Sequence, residues 1–402
     1  MPQSASASGR EALHARAIAA IDAAAPELRR VSARIHGRPE LNFEERHAHD
    51  VLTDAAEAAG LSVRRGAFDL PTAFSASAGG DGPRVVICCE YDALPEIGHA
   101  CGHNLIAAAG LGAGIGAAAG LAASGGPGRV VVLGTPAEEG GGGKIALIER
   151  GAFADADAAL MAHPAPTDLL RPAVSALQQL DVVYRGRNAH AAGAPWEGRN
   201  ALDAMVVAYS AISALRQQLP PGALVHGVIT HGGDKPNIIP SLTRAEFIVR
   251  ARERAMLAEV KERVLACFRA GAESAGCTLE VGENGPEYLD MRHCEPIVAR
   301  YADNLCALGA PPREDPAGFS AFSTDMGNVS YVVPSIHPVF GIPAAAGNHT
   351  PEFAEAAATP AAHDAMIVAA KAMAITALDL LTDAGLRSRA RADFDAGTGA
   401  AP

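Results

Sequence analysis

The sequence lacks the features of a secreted protein and of a nucleic-acid-binding protein. Its seven cysteines are odd in number and scattered along 402 residues, which argues against a disulfide framework and is typical of a reducing compartment. It has no excess of basic residues: the formal net charge is -12, and an acidic surface repels phosphate backbones. A signal peptide has a positively charged start followed by an apolar run, and residues 1–10 do not have this pattern. We therefore expect a cytoplasmic protein without a nucleic-acid partner.

The sequence also lacks a convincing membrane span. Residues 105–124 carry no charge and are long enough to cross a bilayer, but they consist almost entirely of alanine and glycine. Gly112, Gly116 and Gly120 have the spacing that lets helices pack closely, so we expect a buried helix of a soluble core and no membrane partner. The glycines of this segment do not fit the strict GxGxxG pattern, which argues against a dinucleotide-binding fingerprint.

What the sequence does contain is a set of short apolar runs that predict a mainly parallel sheet. A chain of 402 residues predicts two domains, and 49% hydrophobic residues can form sizeable cores. Residues 85–89, 130–133 and 158–161 suit strands that are buried on both faces. Polar residues follow each run, and ligands bind at the carboxyl ends of the strands in open α/β sheets. We expect these polar residues to meet at one edge of the sheet.

Residues 175–287 have a different pattern, which predicts an inserted α+β domain. Strands and helices alternate there in the order β-α-β-β-α-β, the ferredoxin-like arrangement. The predicted elements are strands at 180–184, 224–231, 245–252 and 278–281, and helices at 200–219 and 255–275. The predicted fold is therefore α/β, with a catalytic domain formed by residues 1–174 and 288–402 around the insert.

Five candidate metal ligands and a spare carboxylate follow or flank these strands. Cys101 and His103 share one short turn, Glu138 and Glu139 precede four glycines, His163 ends the third strand, and His349 lies in a loop. Each alone has an ordinary structural explanation, such as a packed cysteine, a solvated acidic turn or a hydrogen-bonded histidine. Together, five donors suit two metal ions that share a bridging group, and they leave Glu138 free as general base and later general acid.

With these residues, the sequence resembles the aminoacylase-like family of dinuclear metallopeptidases and amidohydrolases, in the carboxypeptidase/aminoacylase clan. It is most like bacterial aminobenzoyl-glutamate hydrolases and β-alanyl-lysine-type dipeptidases. The matching segments cover nearly the whole chain in family order. They are IHGRPELNFEE, EYDALPEIGHACGHN, GTPAEEGGGG, MAHP, GRNAHAAGAPWEGRNALDA, KPNIIP, STDMGNVSYVVPSIHP and HTPEF.

The resemblance implies a role for each matching residue. It implies that two divalent metal ions, zinc or manganese with cobalt or nickel as further possibilities, bind to Cys101, His103, Glu139, His163 and His349. It implies that Glu138 is the catalytic carboxylate and that the insert mediates homodimerisation and acts as a lid. It further implies that His190 stabilises the oxyanion, in the partner subunit's active site, and that Asn237 and Arg250 bind the substrate. A surface salt bridge is the ordinary alternative for Arg250.

One position departs from the pattern of many relatives. Those relatives have a metal-binding histidine two residues before Asp92, whereas this sequence has Glu90. The resemblance implies that Cys101 is a metal ligand instead. It also implies that Asp92 orients one of the ligands without contacting the metal itself. His337 competes with His349 for the last ligand position, and the HTPEF context of His349 favours the latter.

The predicted function is metal-dependent hydrolysis of an amide or peptide bond in a small substrate with a free carboxylate. An N-acyl-amino-acid deacylase is the alternative within the enzymes. A catalytically silent metal- or metabolite-binding protein and an interaction scaffold are the alternatives from other classes. An intact Glu138 beside all five ligands argues against a silent protein.

Overall fold

The computed structural model describes residues 7–312 and 322–398. The helices are α1 Ala7–His36, α2 Arg46–Ala58, α3 His103–Ser124, α4 Gly143–Glu149, α5 Ala201–Leu215, α6 Arg254–Ala275, α7 Glu295–Ala307, α8 Met326–Ser330, α9 Pro351–Ala356, α10 Pro360–Thr382 and α11 Ala384–Thr398. The strands are β1 Ser62–Arg65, β2 Phe74–Gly79, β3 Arg84–Cys89, β4 Arg129–Gly134, β5 Ala158–Leu160, β6 His163–Ala165, β7 Ala176–Arg185, β8 Leu224–His231, β9 Leu242–Ala251, β10 Thr278–Glu283, β11 Ser335–Ile336 and β12 Val339–Gly341.

The chain divides into two compact units. The first contains the described residues of 7–173, 291–312 and 325–398, and the second contains Val174–Asp290 together with 322–324. The second unit therefore interrupts the first along the chain, and each has its own hydrophobic core.

The first unit is built on a six-stranded sheet with the order β1-β2-β4-β3-β5-β11. Strands β4, β3, β5 and β11 run parallel, whereas β1 and β2 are added antiparallel at one edge. All residues of β3 after Arg84 are buried, as expected of a strand covered on both faces. The prediction of a mainly parallel sheet is confirmed. Glu90 directly follows β3, and the turn that contains Glu138 follows β4. Both therefore lie at the carboxyl edge of this sheet.

Helix α3 forms the centre of the first unit, where it packs against α1, α10 and the sheet. Small residues allow this close approach: a Cβ atom at Gly114 would lie 2.0 Å from Val132 Cγ2. Both α3 and α10 are long and apolar enough to cross a bilayer, and 78% of the most apolar stretch of each is buried within the protein. The segment that the glycine spacing assigned to a buried helix is therefore a core helix of this unit.

The second unit has a four-stranded antiparallel sheet in the order β10-β7-β9-β8, with α5 and α6 packed on it. This is the ferredoxin-like order that the sequence predicts. Helix α5 begins where the Asn200 side chain accepts hydrogen bonds from the N–H groups of Leu202 and Asp203. It ends four residues before the predicted end, because a 3-10 turn at Arg216–Gln218 replaces its last turn ahead of Pro220.

Candidate metal centre

The predicted donors come from separate segments of the first unit and meet at the carboxyl edge of its sheet. Cys101 precedes α3, His103 is the first residue of α3, and Gly102 between them adopts a left-handed backbone with φ 78°. A Cβ atom at Gly102 would lie 2.6 Å from Pro164 Cγ, so only glycine lets this turn approach the strand that begins at His163. The turn thereby presents a thiol and an imidazole towards His163.

The structure brings all five predicted donors and Glu138 together. Ligand atoms lie within 4.8 Å of one another in the triplets Cys101–His103–His163, Cys101–Glu139–His349 and His103–Glu138–Glu139. Cys101 Sγ lies 3.4 Å from His163 Nε2, and His349 Nε2 lies 3.4 Å from Glu139 Oε1. Cys101, His103 and Glu139 each belong to two of these triplets, so the cluster has room for two cations that share ligands.

The hydrogen bonds of two histidines define which ring nitrogen faces the cluster. His103 Nδ1 lies 3.0 Å from both the carbonyl oxygen and Oδ1 of Asp92, and His163 Nδ1 lies 2.8 Å from the carbonyl oxygen of Pro164. These partners only accept hydrogen bonds, so each Nδ1 carries the proton. Burial lowers the pKa of His163 to about 4, which keeps its ring neutral. His163 therefore presents the lone pair of Nε2 to the cluster, as a metal ligand must.

The donor set fits divalent cations. His103 Nε2 and Glu139 Oε1 are buried without a hydrogen-bond partner, although they lie only 4.0 Å apart. Two nitrogen or oxygen ligands placed about 2.0–2.2 Å from one tetrahedral ion are separated by roughly 3.3–3.6 Å, close to the spacings found here. A cation would satisfy both atoms at once.

Glu138 has the environment of a carboxyl group that can hold a proton. Burial, together with the nearby carboxylates of Glu90, Glu139 and Asp325, raises its pKa well above the usual range. A cation close to the group would act in the opposite direction. The protonation state of Glu138 is therefore adjustable, as general acid–base catalysis requires.

The turn that carries Glu138 is strained and is held by a residue that the sequence analysis did not assign. Ala137 has φ 58°, a left-handed backbone that is uncommon for alanine. The buried Glu45 accepts hydrogen bonds from the N–H groups of Ala137 and Phe43, both at 2.9 Å. His349 is also left-handed, with φ 65°. Such strain is concentrated at functional sites, and the only signal of Glu45 in the sequence was its place in the matched segment IHGRPELNFEE.

A buried ion triad beside Glu138 was also missed. The Lys144 ammonium donates to Asp325 Oδ1 at 2.6 Å and to Glu90 Oε1, and all three residues are completely buried. The sequence signals were a lysine after four glycines and an aspartate in the matched segment beginning at Ser323. Neither residue is close to Glu90 along the chain, so their association depends on the fold.

Asp92 and His337 take different positions relative to the cluster. Asp92 Oδ1 contacts His103 Nδ1, while Oδ2 accepts the N–H of Glu139 at 2.9 Å. Burial alone would raise the pKa of Asp92, but His103 and the Glu139 N–H lower it below the usual value, so Asp92 is a carboxylate behind His103. His337 is fully buried with its ring centroid 5.7 Å from that of His163, and it belongs to no donor triplet among the described residues.

The remaining predicted residues lie in the second unit. His190 and Asn237 are exposed on neighbouring loops, where the Ala191 N–H donates to the Asn237 carbonyl oxygen at 3.1 Å. Arg250 is half-buried on β9, and its Nη1 donates to Ser323 Oγ at 2.8 Å. Burial lowers its pKa, and it has no ion pair among the described residues, so the salt-bridge alternative is not observed there.

Comparison with known proteins gives three similarities. Residues 175–275 match the peptidase dimerisation domain of the M20 family. The chain is 43% identical to the mouse Xaa-Arg dipeptidase over 98% of its own length and 94% of that protein. It is 28% identical to one of the subunits of the Escherichia coli p-aminobenzoyl-glutamate hydrolase, over 89% of each chain. The Bacillus subtilis YXEP protein, described as a dinuclear metal-binding M20 peptidase, superimposes with a TM-score of 0.68 at 20% identity and covers 92% of this chain and 99% of its own.

The fold and the donor cluster define a class of enzyme, the peptidases and amidohydrolases that cleave C–N amide bonds. The extent of the similarity to the mouse dipeptidase then identifies the group within that class. The chain belongs to the M20 family of peptidases, and the predicted family relationship is confirmed.

Proposed function

We propose that this enzyme is a metal-dependent dipeptidase that cleaves the amide bond of a small substrate with a free carboxylate. The mouse relative acts on dipeptides of the type Xaa-Arg, so a dipeptide with a basic C-terminal residue is the substrate class we favour. The observation that supports the proposal most strongly is the cluster of five metal-type donors around Glu138 at one sheet edge.

The proposed chemistry assigns a proton shuttle to Glu138. Divalent cations at such a site supply Lewis acidity, which makes a water molecule easier to deprotonate and polarises a carbonyl group. Glu138 accepts the proton of the attacking water and then delivers it to the departing amine. Its burial beside other carboxylates favours the protonated form that donates to the amine, and a nearby cation would favour the ionised form that accepts the proton. Glu45 and Asp92 hold Glu138 and His103 in position.

The hydrogen bonds of His190 support a role for this residue as an oxyanion donor. Its Nδ1 accepts the N–H groups of Ala192 at 3.2 Å and Gly193 at 3.0 Å, so the proton of the neutral ring lies on Nε2. An exposed Nε2–H on a braced loop can donate to the negative charge that develops on the substrate carbonyl oxygen. We assign the substrate carboxylate to Arg250, whose guanidinium contacts a hydroxyl and no carboxylate among the described residues, and to Asn237.

The ligand types favour zinc or manganese, with cobalt and nickel as further candidates. Burial and the carboxylate of Glu139 raise the pKa of the Cys101 thiol far above its usual value. A cation with high affinity for thiolate must therefore displace the thiol proton, and zinc meets this condition better than manganese. We further propose a cytoplasmic location, since all seven cysteines are free thiols.

The second unit supports a homodimer formed through strand β8, which lies at one edge of its sheet. Leu224, Val228 and Ile229 of β8 are 50%, 60% and 40% exposed, and the strand contains no lysine, arginine, aspartate or glutamate. An edge strand without charged residues is open to pairing with another strand. The opposite edge, β10, carries Glu280 and Glu283. We propose that β8 pairs with β8 of a second copy.

A substrate panel tests the proposed function. Purified full-length protein is assayed with dipeptides, N-acyl amino acids and aminobenzoyl-glutamate, before and after chelation and after addition of zinc or manganese. We expect cleavage of basic dipeptides that is lost on chelation and restored by metal. Preferential cleavage of N-acyl amino acids would identify a deacylase instead. Absence of cleavage from a protein that binds two cations would contradict the enzymatic role.

A further inference from the structure

Glu90 has one hydrogen-bonded oxygen and one that faces the metal centre. Its side chain is completely buried. Its Oε1 accepts a hydrogen bond from the Lys144 ammonium. Its Oε2 has no hydrogen-bond partner and lies 3.5 Å from His103 Nε2. The carboxylate therefore points a free oxygen at a residue that we place among the ligands.

His103 Nε2 is equally without a hydrogen-bond partner. Since His103 Nδ1 is hydrogen bonded to the two acceptors of Asp92, Nε2 is the ring nitrogen that faces Glu90. Nε2 of His103 and Oε2 of Glu90 thus face each other in a buried site. Their separation of 3.5 Å exceeds the usual N–H···O distance of about 2.7–3.2 Å. It agrees with the roughly 3.3–3.6 Å between two ligands of one tetrahedral cation.

Lys144 holds the other side of Glu90 in place. The ammonium lies between Glu90 and Asp325, and Asp325 also accepts the backbone N–H of Lys144 at 2.8 Å, so the lysine is held at both its backbone and its side chain. With Oε1 hydrogen bonded to Lys144, Oε2 of Glu90 is directed at His103. Lys144 also places a positive charge against Oε1 of Glu90.

We propose that Glu90 is a sixth donor of the metal centre and that Lys144 is the positioning residue that directs it to the cation bound by His103. This inference rests on the proposed function only in that His103 is taken as a metal ligand. A carboxylate that served only to neutralise Lys144 would have no reason to leave one buried oxygen without a hydrogen bond, 3.5 Å from His103 Nε2.

Metal binding by full-length variants tests the inference without an activity assay. Zinc content and affinity are measured by elemental analysis and chelator competition for the wild type, Glu90→Gln and Lys144→Met. The optical spectrum of the cobalt-substituted protein reports the ligands of each ion. Asp379→Asn is the matched control, because Asp379 is a buried carboxylate of the same unit that is paired with Arg300 and His14, away from the donor triplets.

We expect two ions in the wild type and in the control. In Glu90→Gln, which keeps the shape of the side chain, we expect the affinity of one ion to fall at least about 10–100-fold and its cobalt spectrum to change. Lys144→Met should weaken the same ion; if that variant does not fold, the isosteric Glu90→Gln variant decides alone. Unchanged affinities and spectrum in Glu90→Gln would overturn the inference and leave the two-metal enzyme intact. A wild type that binds no divalent cation would overturn both.

Discussion

The two units of this enzyme differ most in what they bury. The first unit encloses Glu90, Asp92, His103, Lys144 and Asp325 with almost no exposure. The second unit encloses an apolar core around Tyr184, Phe247 and Phe268. Its buried polar residues, among those that the structure describes, are the uncharged Ser175, Gln178, Thr243 and Thr324.

The first unit thus contains the buried charged residues of the candidate metal centre, whereas the second unit, which we propose mediates dimerisation, has an apolar core. Buried charges are costly unless each has a partner, and several atoms of the first unit lack one in the protein itself. The stability of the first unit should therefore depend on bound cations. The second unit needs only the burial of apolar side chains, which depends little on metal.

The largest expected effect comes from Glu138→Gln in the first unit. The amide cannot accept the proton of water, so we expect kcat to fall by about 10²–10⁴-fold or more with metal content unchanged. Glu246→Gln on β9 of the second unit is the matched control and should retain activity. Steady-state kinetics and elemental analysis measure both effects. Turnover at the wild-type rate in Glu138→Gln would show that Glu138 is not the general base.

Chelation should destabilise one unit more than the other. Cations that bind only the folded first unit contribute about 2.7 kcal/mol per site at a concentration 100 times the dissociation constant. Hydrogen exchange followed by mass spectrometry reports each unit through its own peptides. After chelation, we expect faster exchange in β3 and β4 and little change in β7 and β9. Equal acceleration in both units would show that they do not differ in metal dependence.

A charge introduced on strand β8 should have the smallest effect on folding. It should have a specific effect on assembly. Val228→Glu places like charges at the edge where two copies would pair, so we expect a monomer by sedimentation velocity. Because Val228 is exposed, the substitution should change the free energy of unfolding of the protein by only about 0.5 kcal/mol. Val281→Glu on the opposite edge is the control and should remain a dimer. A dimer that survives Val228→Glu would exclude pairing through this edge.

Features encoded in short segments were predictable from the sequence. The apolar runs of β3, β4 and β5 predicted a parallel sheet because strands covered on both faces need continuous apolar residues. The donors were then expected at its carboxyl edge, where the structure has them. The alternation of strands and helices in residues 175–287 predicted the ferredoxin-like order, since each element there carries its own periodicity.

Features that depend on distant partners were not predictable from one sequence. Lys144 and Asp325 are 181 residues apart, and only the position of α8 beside the start of α4 brings them together. Glu45 and Ala137 are similarly 92 residues apart. The left-handed backbone of Ala137 and His349 carries no sequence signal, because neither position is a glycine. These contacts hold the candidate site in place. The clustering of its donor residues could be predicted from the sequence, but the residues that support them could not.

The spread of the donors along the chain has a consequence for synthesis on the ribosome. The second unit is almost continuous in sequence, so its sheet can form soon after residue 290 has been made, whereas the donor cluster needs residues from Cys101 to His349. Strand β11 and helix α10, which complete the first unit, are made later still than the second unit. A nascent chain can therefore contain a folded second unit before it contains a complete donor cluster. Hydrolytic activity must wait until His349 and the elements that follow it have been made.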